Sequence, residues 1–453
     1  MLSESGTHNV RSLQVYEMKR KKENIAKEIV KSLQDKGYIA YYAGGCVRDK
    51  LLGIEPSDFD VATNATPEKV QKIFKKTIPV GVKFGVILVL KSGIQTEVAT
   101  FRSDDIYIDG RRPVDVHFSS AIEDAQRRDF TINGMFYDPI KEKIIDYVGG
   151  KKDLKKGIIC AIGEPDKRFN EDALRLIRCI RFASRFGFEI EEKTFDSVKR
   201  NIKLINKISA ERIGDELIKL FTFPNAGRGL ELLYESGLLK EILPEVEEMV
   251  GVNQPEEFHP EGDVFNHTKI ALNLLKNPDA VLAFATLFHD IGKPRTFVVS
   301  NRIRFNRHDS VGKELTEKIC DRLRFPRDVK KKIVECVDNH MTFMSVKNMR
   351  ESKIKRLLSR DTFETELELH RIDCLASHGD IENYYFLKKR QEEYAQEEIE
   401  PEPLINGHNL IELGYKPGPI FKRILNRICD LQLENKLRTK EEALEYVKKH
   451  FTK

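Results

Sequence analysis

The chain has 453 residues, and that length predicts about three hydrophobic cores rather than one. With 77 Lys and Arg against 72 Asp and Glu the net charge is only +5, so overall charge names no partner. Seven cysteines without a CxxC pair exclude a disulfide framework and a thiolate zinc site, and no apolar run approaches the roughly 18–20 residues of a membrane span.

The polar start MLSESGTHNV lacks the apolar centre of a signal peptide, so a reducing cytoplasm is the expected location and no membrane partner is expected. Three basic runs, KRKKENIAK at 19–27, KKDLKK at 151–156 and VKKKIVE at 329–335, fit either a polyanion-binding surface or solvated helix faces. Strands are expected at YIAYYAGG (38–45), DFDVAT (58–63), KFGVILVL (83–90) and IQTEVATF (94–101), with KSG at 91–93 as a hairpin turn. PEKVQKIFKK (67–76) reads as a helix opened by proline. These runs predict a small mixed sheet with helices packed on it.

From about residue 165 the helical period takes over, in EDALRLIRCIRFASRF, EKTFDSVKRNIKLI, SAERIGDELIKLF and GRGLELLYES. Proline- and glutamate-rich joints at 244–262 and 394–405 are the linker candidates.

The chemistry concentrates early, in GGCVRDKLLG (44–53) followed by PSDFDVATNATP (56–67). Gly44 and Gly45 let the main chain approach a bulky anion, and Arg48 offers a planar donor fork suited to phosphate. Asp58 and Asp60 share a face if 58–63 is a strand, because side chains alternate with period two. Together they can hold Mg²⁺ against a triphosphate. Either piece alone also fits a plain tight turn or a solvated strand face.

Glu97, on the strand after the KSG turn, can bring a third carboxylate beside that pair; a carboxylate trio suits two divalent ions about 4 Å apart. In RRDFTINGMFYD (127–138), Arg127 and Arg128 are placed for phosphate, while Asp129 and Asn133, at i and i+4 on an expected helix, can bond a sugar hydroxyl. In RFNEDALRLIRCIRFASRFGFEI (168–190), Asp172 and Arg175 share an expected helical face, as do Arg178 and Arg181. An ionised Asp accepts one hydrogen bond and an Arg donates two, which matches the amine and ring nitrogen of cytosine or adenine. Uracil and guanine present a carbonyl and a ring N–H there and are mismatched. A solvated i,i+3 ion pair fits the same two residues.

GGCVRD with DFDVAT, then RRDFTING, DYVGGKKDL, RFNEDALRLIRCIRFASRFGFEI and ISAERIGDEL, in this order, closely resemble bacterial tRNA nucleotidyltransferases, the class that includes CCA-adding enzymes and bacterial poly(A) polymerases. The resemblance runs from about 40 to 220, with PLINGHNLIELGYKPGPIFKRIL similar to the tail of these enzymes. It implies an α+β chain: a polymerase-β-like head with a small mixed sheet (1–148), a helical neck and body (149–245), an HD-type region (246–393) and a helical tail (394–453).

It further implies that Asp58 and Asp60 bind the catalytic Mg²⁺, which joins the reading above of two ions and of Glu97 as a third catalytic carboxylate. Gly44, Gly45 and Arg48 would contact the triphosphate and Arg128, Asp129 and Asn133 the ribose region. Glu171, Asp172 and Arg175, with Arg178 beside them, would read the incoming base. The expected partners are a tRNA 3′ end, CTP and ATP. CCA addition, terminal-A addition and polyadenylation stay open at this point, while the loop SDDIYIDGRRPVDVHF (103–118) argues against a CC-only enzyme.

His267, FHDIGKP with His289 and Asp290, then His308, His340 and Asp373 resemble the H…HD…D pattern of metal-dependent phosphohydrolases. His267, His289, Asp290 and Asp373 can hold a further divalent metal. An HD-type phosphohydrolase acting on RNA ends is therefore the alternative function.

Overall fold

The computed structural model describes residues 4–104, 116–257, 259–394 and 402–452. Most of the 103–118 loop and the centre of the 394–405 joint lie outside the described residues. The chain splits into two compact units, Met1–Pro244 and Glu245–Lys453. No helix among the described residues is long and apolar enough to cross a membrane.

The first unit opens with helix α1 (Glu4–Gln34), which lies against a seven-stranded mixed sheet. Strands β1 (Ala40–Ala43), β2 (Asp60–Thr63), β3 (Thr77–Gly81), β4 (Val86–Lys91) and β5 (Ile94–Thr100) come first, and α2 (Gly45–Leu51) and α3 (Pro67–Ile73) separate them. β6 (Arg102–Asp104) and β7 (Val116–Phe118) form a separate ladder, and β8 (Phe136–Asp138) and β9 (Lys143–Ile145) complete the sheet in the order β3-β4-β5-β2-β1-β8-β9. β2 and β5 run parallel with Val61 opposite Val98, so Asp60 and Glu97 begin neighbouring rows. The hairpin turn falls at Ser92 and Gly93, both at positive φ, 50° and 79°, as a two-residue turn between right-twisted strands requires.

Three local expectations are corrected here. The helix expected over 67–76 ends at Ile73, because Phe74 turns extended and the following residues pair as β3 with β4. The strand expected from 58 starts only at Asp60, leaving Asp58 in the preceding loop. The strand expected from 83 is preceded by a 3₁₀ turn (Val82–Phe84) and Gly85 at φ 76°.

Helices α4 (Ala121–Gln126) and α5 (Gly150–Lys156) close the head, with a short parallel pair β10 (Ile158–Ile159) and β11 (Glu189–Ile190) beside them. The long helix expected over 171–186 is two, α6 (Pro165–Glu171) and α7 (Leu174–Phe186). Asp172 is extended (φ −144°, ψ 104°), and its carboxylate accepts the Leu174 N–H at 3.1 Å, a local bond that competes with continuous helix. Likewise 192–205 is α8 (Glu192–Asn201) running into a 3₁₀ segment, followed by α9 (Ala210–Phe221) and α10 (Ala226–Ser236). A Cβ on Gly229 would stand 2.7 Å from Leu220 Cδ1, so glycine sets how closely α9 and α10 pack. Two short helices, α11 (Leu238–Ile242) and α12 (Pro244–Glu247), end this run.

In the second unit α13 (Val264–Leu274), α14 (Ala280–Phe288), α15 (Lys293–Thr296), α16 (His308–Arg322), α17 (Arg327–Asn339), α18 (Glu351–Leu358), α19 (Phe363–Ala376) and α20 (Glu382–Tyr394) form a helical array. A hairpin of β12 (Phe297–Val299) and β13 (Ile303–Phe305) interrupts it. The last helices α21 (Gly407–Glu412), α22 (Pro419–Leu433) and α23 (Lys440–His450) share their own core around Leu410, Ile424, Ile428 and Val447.

Candidate active site

Gly44 begins α2 at φ 72°, a conformation that favours glycine, and a Cβ there would lie 3.1 Å from Arg128 Nη1. The turn delivers Arg48 against α7. Its guanidinium donates to Asp49 Oδ1 at 2.8 and 2.6 Å and to Asn133 Oδ1 at 2.6 Å, and lies 5.1 and 4.7 Å from the ring centres of Phe182 and Phe186. Only 4% of Arg48 is exposed. It is thus a rigid cation fixed by charge and stacking before any anion arrives.

Asp58 and Asp60 both face one cleft of about 840 Å³, which Gly44, Gly45, Arg48, Asn133, Asp172 and Arg175 also line. On their other side they share a pocket of about 490 Å³ with Glu97. Asp60 is exposed to the cleft, yet its carboxyl is pushed up to about 6, first because the surrounding protein displaces much of its hydrating water, then by the negative charges of Glu97 and Asp58, against the pull of Arg128. Glu97, also exposed, is raised in the same way by protein that displaces its hydrating water, with Arg102 opposing it. Asp58, outside the strand, lines both pockets, and Lys22 of α1 donates to its carboxylate at 2.7 Å and to the Ser57 carbonyl at 3.0 Å. The basic run at 19–27 therefore braces this acid rather than offering an unbroken cationic face.

Asp129 and Asn133 do not share an α-helix. Asn133 ends a 3₁₀ turn (Thr131–Asn133) after Asp129, and its side-chain N–H donates to Asp129 Oδ1 at 3.0 Å. The other Asp129 oxygen accepts from Arg178 Nε and Nη2, at 2.9 and 2.5 Å. Burial alone would raise the Asp129 carboxyl; Arg178, Asn133 and Arg175 outweigh it and hold it well below the usual carboxylate range. Arg127 and Arg128 each grip the buried Asp124 through two nitrogens, so a bound phosphate would meet Arg128 already neutralised in part.

Asp172 and Arg175 both line the cleft but do not share a helical face, because the chain breaks between α6 and α7. Asp172 accepts Arg212 of α9 at 3.0 and 3.3 Å. Arg175 donates to Glu171 at 2.8 Å and to the carbonyls of Arg168 and Arg127, both at 3.0 Å. Glu171 itself lies in a separate small pocket and acts on the cleft only through Arg175. Arg178 and Arg181 continue along α7, and Arg181 donates to the buried Glu216 at 2.7 Å. Arg212, Glu216, Asp124 and Lys22 were not singled out in the sequence, although Arg212 and Glu216 sit inside the ISAERIGDEL motif.

In the second unit His267, His289, Asp290, His308 and His340 are buried together, with the Asp373 side chain 24% exposed at the edge. His267 and His289 approach Nε2 to Nε2 at 3.3 Å, and His267 Nε2 stands 3.1 Å from Asp373 Oδ1. Two triads in this cluster, His267/His289/Asp373 and Asp290/His308/His340, have ligand atoms close enough to hold a metal ion. Neither Glu261, which bonds His267 Nδ1 at 2.6 Å, nor Lys293, 2.7 Å from Asp290 Oδ2, was singled out, although Lys293 lies within FHDIGKP.

Comparison with known proteins agrees with this arrangement. Residues 40–160 match the poly A polymerase head domain, 187–250 the probable RNA and SrmB-binding site of polymerase A, and 263–377 the HD domain. The CCA-adding enzyme of Ligilactobacillus salivarius (strain UCC118) is 45% identical over 47% of this chain, a match that spans about half (52%) of that relative's length. The CCA-adding enzyme of Lactobacillus helveticus (strain DPC 4571) is 32% identical over 93% of this chain and 95% of its own. Among solved structures, Bacillus stearothermophilus CCA-adding enzyme in complex with CTP is 28% identical with a TM-score of 0.69, covering 94% of this chain and 96% of that one. Thermotoga maritima CCA-adding enzyme complexed with tRNA shares the fold at 23% identity and a TM-score of 0.57, over 94% of each chain. Because the likeness to whole relatives runs through nearly all of the chain and not through one module, this protein belongs to the family of CCA-adding enzymes.

Proposed function

We propose that the protein is a tRNA nucleotidyltransferase that adds C and A nucleotides to tRNA 3′ ends, using CTP and ATP without a nucleic-acid template. The observation that carries this reading is the cleft that Asp58 and Asp60 line with Gly44, Gly45, Asp172 and Arg175, with Glu97 beside the same two acids in the adjoining pocket. Three hard oxygen donors whose charges repel one another fit divalent cations, which relieve that repulsion, and we assign two Mg²⁺ ions to Asp58 and Asp60. Bound there, the ions would supply an acidified 3′-hydroxyl and charge neutralisation at the leaving pyrophosphate.

The chain's own residues do the rest. Gly44 and Gly45 admit the triphosphate to the backbone, and Arg48, already fixed, stabilises charge growing on the departing phosphates. Arg128, Asp129 and Asn133 border the ribose. Asp172 and Arg175 accept and donate to the base edge that only cytosine and adenine complement. Glu171 holds Arg175, and Arg178 ties Asp129 to α7. Before a base arrives Asp172 bonds Arg212 and Arg175 bonds Glu171, so reading the base exchanges protein partners for nucleotide ones.

We assign the head to 1–148, the neck and body to 149–245, the HD-type region to 246–393 and the tail to 394–453, the helical regions meeting tRNA through its backbone and shape. Seven free cysteines suit a cytoplasmic location. The buried His/Asp cluster supports a second reading, an HD-type phosphohydrolase acting on RNA ends, with one divalent ion on His267, His289, Asp290 and Asp373.

Incubation with tRNA lacking its 3′ end and labelled CTP or ATP separates the two. Incorporation that disappears in Asp58→Ala and survives in His289→Ala supports transfer; phosphate release that needs His289, with no incorporation, supports the hydrolase. Sequencing the products from tRNA ending before CCA and from tRNA ending in CC distinguishes full CCA addition from terminal-A addition, and a long A tail would mark a poly(A) polymerase.

A further inference from the structure

We propose that helix α1 forms part of the acceptor-strand site: Lys22, which holds Asp58 in this structure, passes to a backbone phosphate near the RNA 3′ end once a divalent ion takes Asp58. This rests on the tRNA reading above and adds to it a binding residue and the exchange that frees it.

The helix is fixed before any ligand arrives. Ile25, Ala26, Ile29, Val30 and Leu33 are buried, one apolar stripe at three-to-four spacing, and α1 packs on β1, β2 and β5. Tyr42 of β1 donates to the Glu23 carbonyl at 3.1 Å, and Lys50 of α2 and Lys91 of β4 reach Glu23 and Glu28 at 2.8 and 2.7 Å. About one turn ahead of the stripe, Met18 and Lys22, at i and i+4, line the 490 Å³ pocket together with Asp58, Asp60 and residues 93–97. The match to the head domain begins only at residue 40, so this wall of the pocket comes from outside the matched module.

That pocket is the side from which an acceptor has to come. Gly44, Gly45 and Arg48 line the 840 Å³ cleft and not the pocket, Glu97 and Lys22 line the pocket and not the cleft, and Asp58 and Asp60 face both. In phosphoryl transfer the attacking and leaving oxygens stand roughly in line on opposite sides of the phosphorus. With the pyrophosphate beside Gly44 and Arg48, the 3′-hydroxyl therefore enters on the Glu97 side. The strand behind it carries phosphate into a pocket lined by three carboxylates, and Lys22 is the sole cation among the lining residues.

The exchange follows from charge. Lys22 Nζ stands 2.7 Å from Asp58 Oδ1 and 3.0 Å from the Ser57 carbonyl, and the two side chains are 30% and 70% exposed. A pair so open to water holds weakly, and a divalent ion on the same carboxylate repels the ammonium. Lys22 is then left with an uncompensated charge on a flexible four-carbon stem, and a phosphate of the entering strand is the anion that meets it. Contact with phosphate reads no base, so Lys22 serves C and A addition alike.

The test compares the full chain with Lys22→Gln and Lys22→Arg on tRNA ending before CCA, with circular dichroism confirming the fold. In Mg²⁺, Lys22→Gln should bind the tRNA about fivefold more weakly, and the slope of log affinity against log salt should shrink by about 0.7–0.9, the share of one phosphate contact. Lys22→Arg should restore both. KM for tRNA should rise in Lys22→Gln while KM for CTP stays. In chelator, where Lys22 remains on Asp58, the unaltered chain and Lys22→Gln should bind tRNA alike. An unchanged slope in Mg²⁺ overturns the phosphate contact, and a higher Mg²⁺ requirement at unchanged tRNA affinity would show that Lys22 only braces Asp58. A difference that persists in chelator overturns the exchange. Neither tRNA binding nor incorporation by the unaltered chain overturns the tRNA reading as well.

Discussion

Asp60 shows how a single residue trades stability for function. Its carboxyl, though exposed to the cleft, is pushed up to about 6 by lost hydration and by Glu97 and Asp58, so the folded chain holds a proton more tightly than the unfolded chain does. The stability that proton contributes is present in acid and is lost as pH rises through 6. In metal-free buffer at neutral pH, Asp60→Asn should therefore stabilise the protein, by about 1 kcal/mol once screening by cleft water is allowed for. A lower denaturation midpoint for the variant would contradict this. The same proton competes with the metal. Half-saturating Mg²⁺ for incorporation should climb several-fold between about pH 7.5 and about pH 5.5, and a flat response would mean that Asp60 is not a ligand. At the base-reading end, Arg212→Ala removes the Nη2 donor that both Asp172 oxygens share and should raise UTP and GTP incorporation relative to CTP and ATP by about tenfold. Asp172→Ala should loosen base choice at least as far, and unchanged rejection of UTP and GTP in both variants would defeat the protein-template proposal. At this scale the acids and arginines were legible from their motifs, whereas their partners were not.

Among the elements, the turn at 131–133 is held by what packs against it. A Cβ on Gly150, the first residue of α5, would stand 2.1 Å from the Thr131 carbonyl oxygen and 2.8 Å from its carbon. Backbone cannot yield as a flexible side chain does, so Gly150→Ala should cost about 3 kcal/mol or more and lower incorporation with it, through the displacement of Asn133 and hence of Arg48. Gly149, at φ 82° with open space around its Cβ position, should tolerate alanine at about 1 kcal/mol. Equal denaturation midpoints for the two variants would argue against this account. Strand pattern and the Ser92–Gly93 turn were readable locally because alternation and turn chemistry act over a few residues. The break at Asp172 was not, since the apolar period runs across it and only the Asp172–Leu174 bond and the pull of Arg212 on α9 end α6 there.

For the whole molecule, the division at Pro244 leaves every residue assigned to nucleotidyl transfer in the first unit. A fragment of residues 1–244 should melt in one cooperative transition and bind CTP in a calorimetric titration; a broad, non-cooperative melt would show that this unit does not stand alone. The order of motifs, the α+β head followed by helices, and the presence of both a carboxylate site and a His/Asp cluster were determined by the sequence itself, because each is announced by a short run of characteristic residues such as DFDVAT or FHDIGKP. The tertiary structure alone decided which polar groups pair. Lys22 meets Asp58 across 36 positions, Arg212 meets Asp172 across 40 and Arg48 meets Asn133 across 85. Pairings at such separations arise only when sheet register and helix packing bring distant segments together, and no local periodicity encodes them.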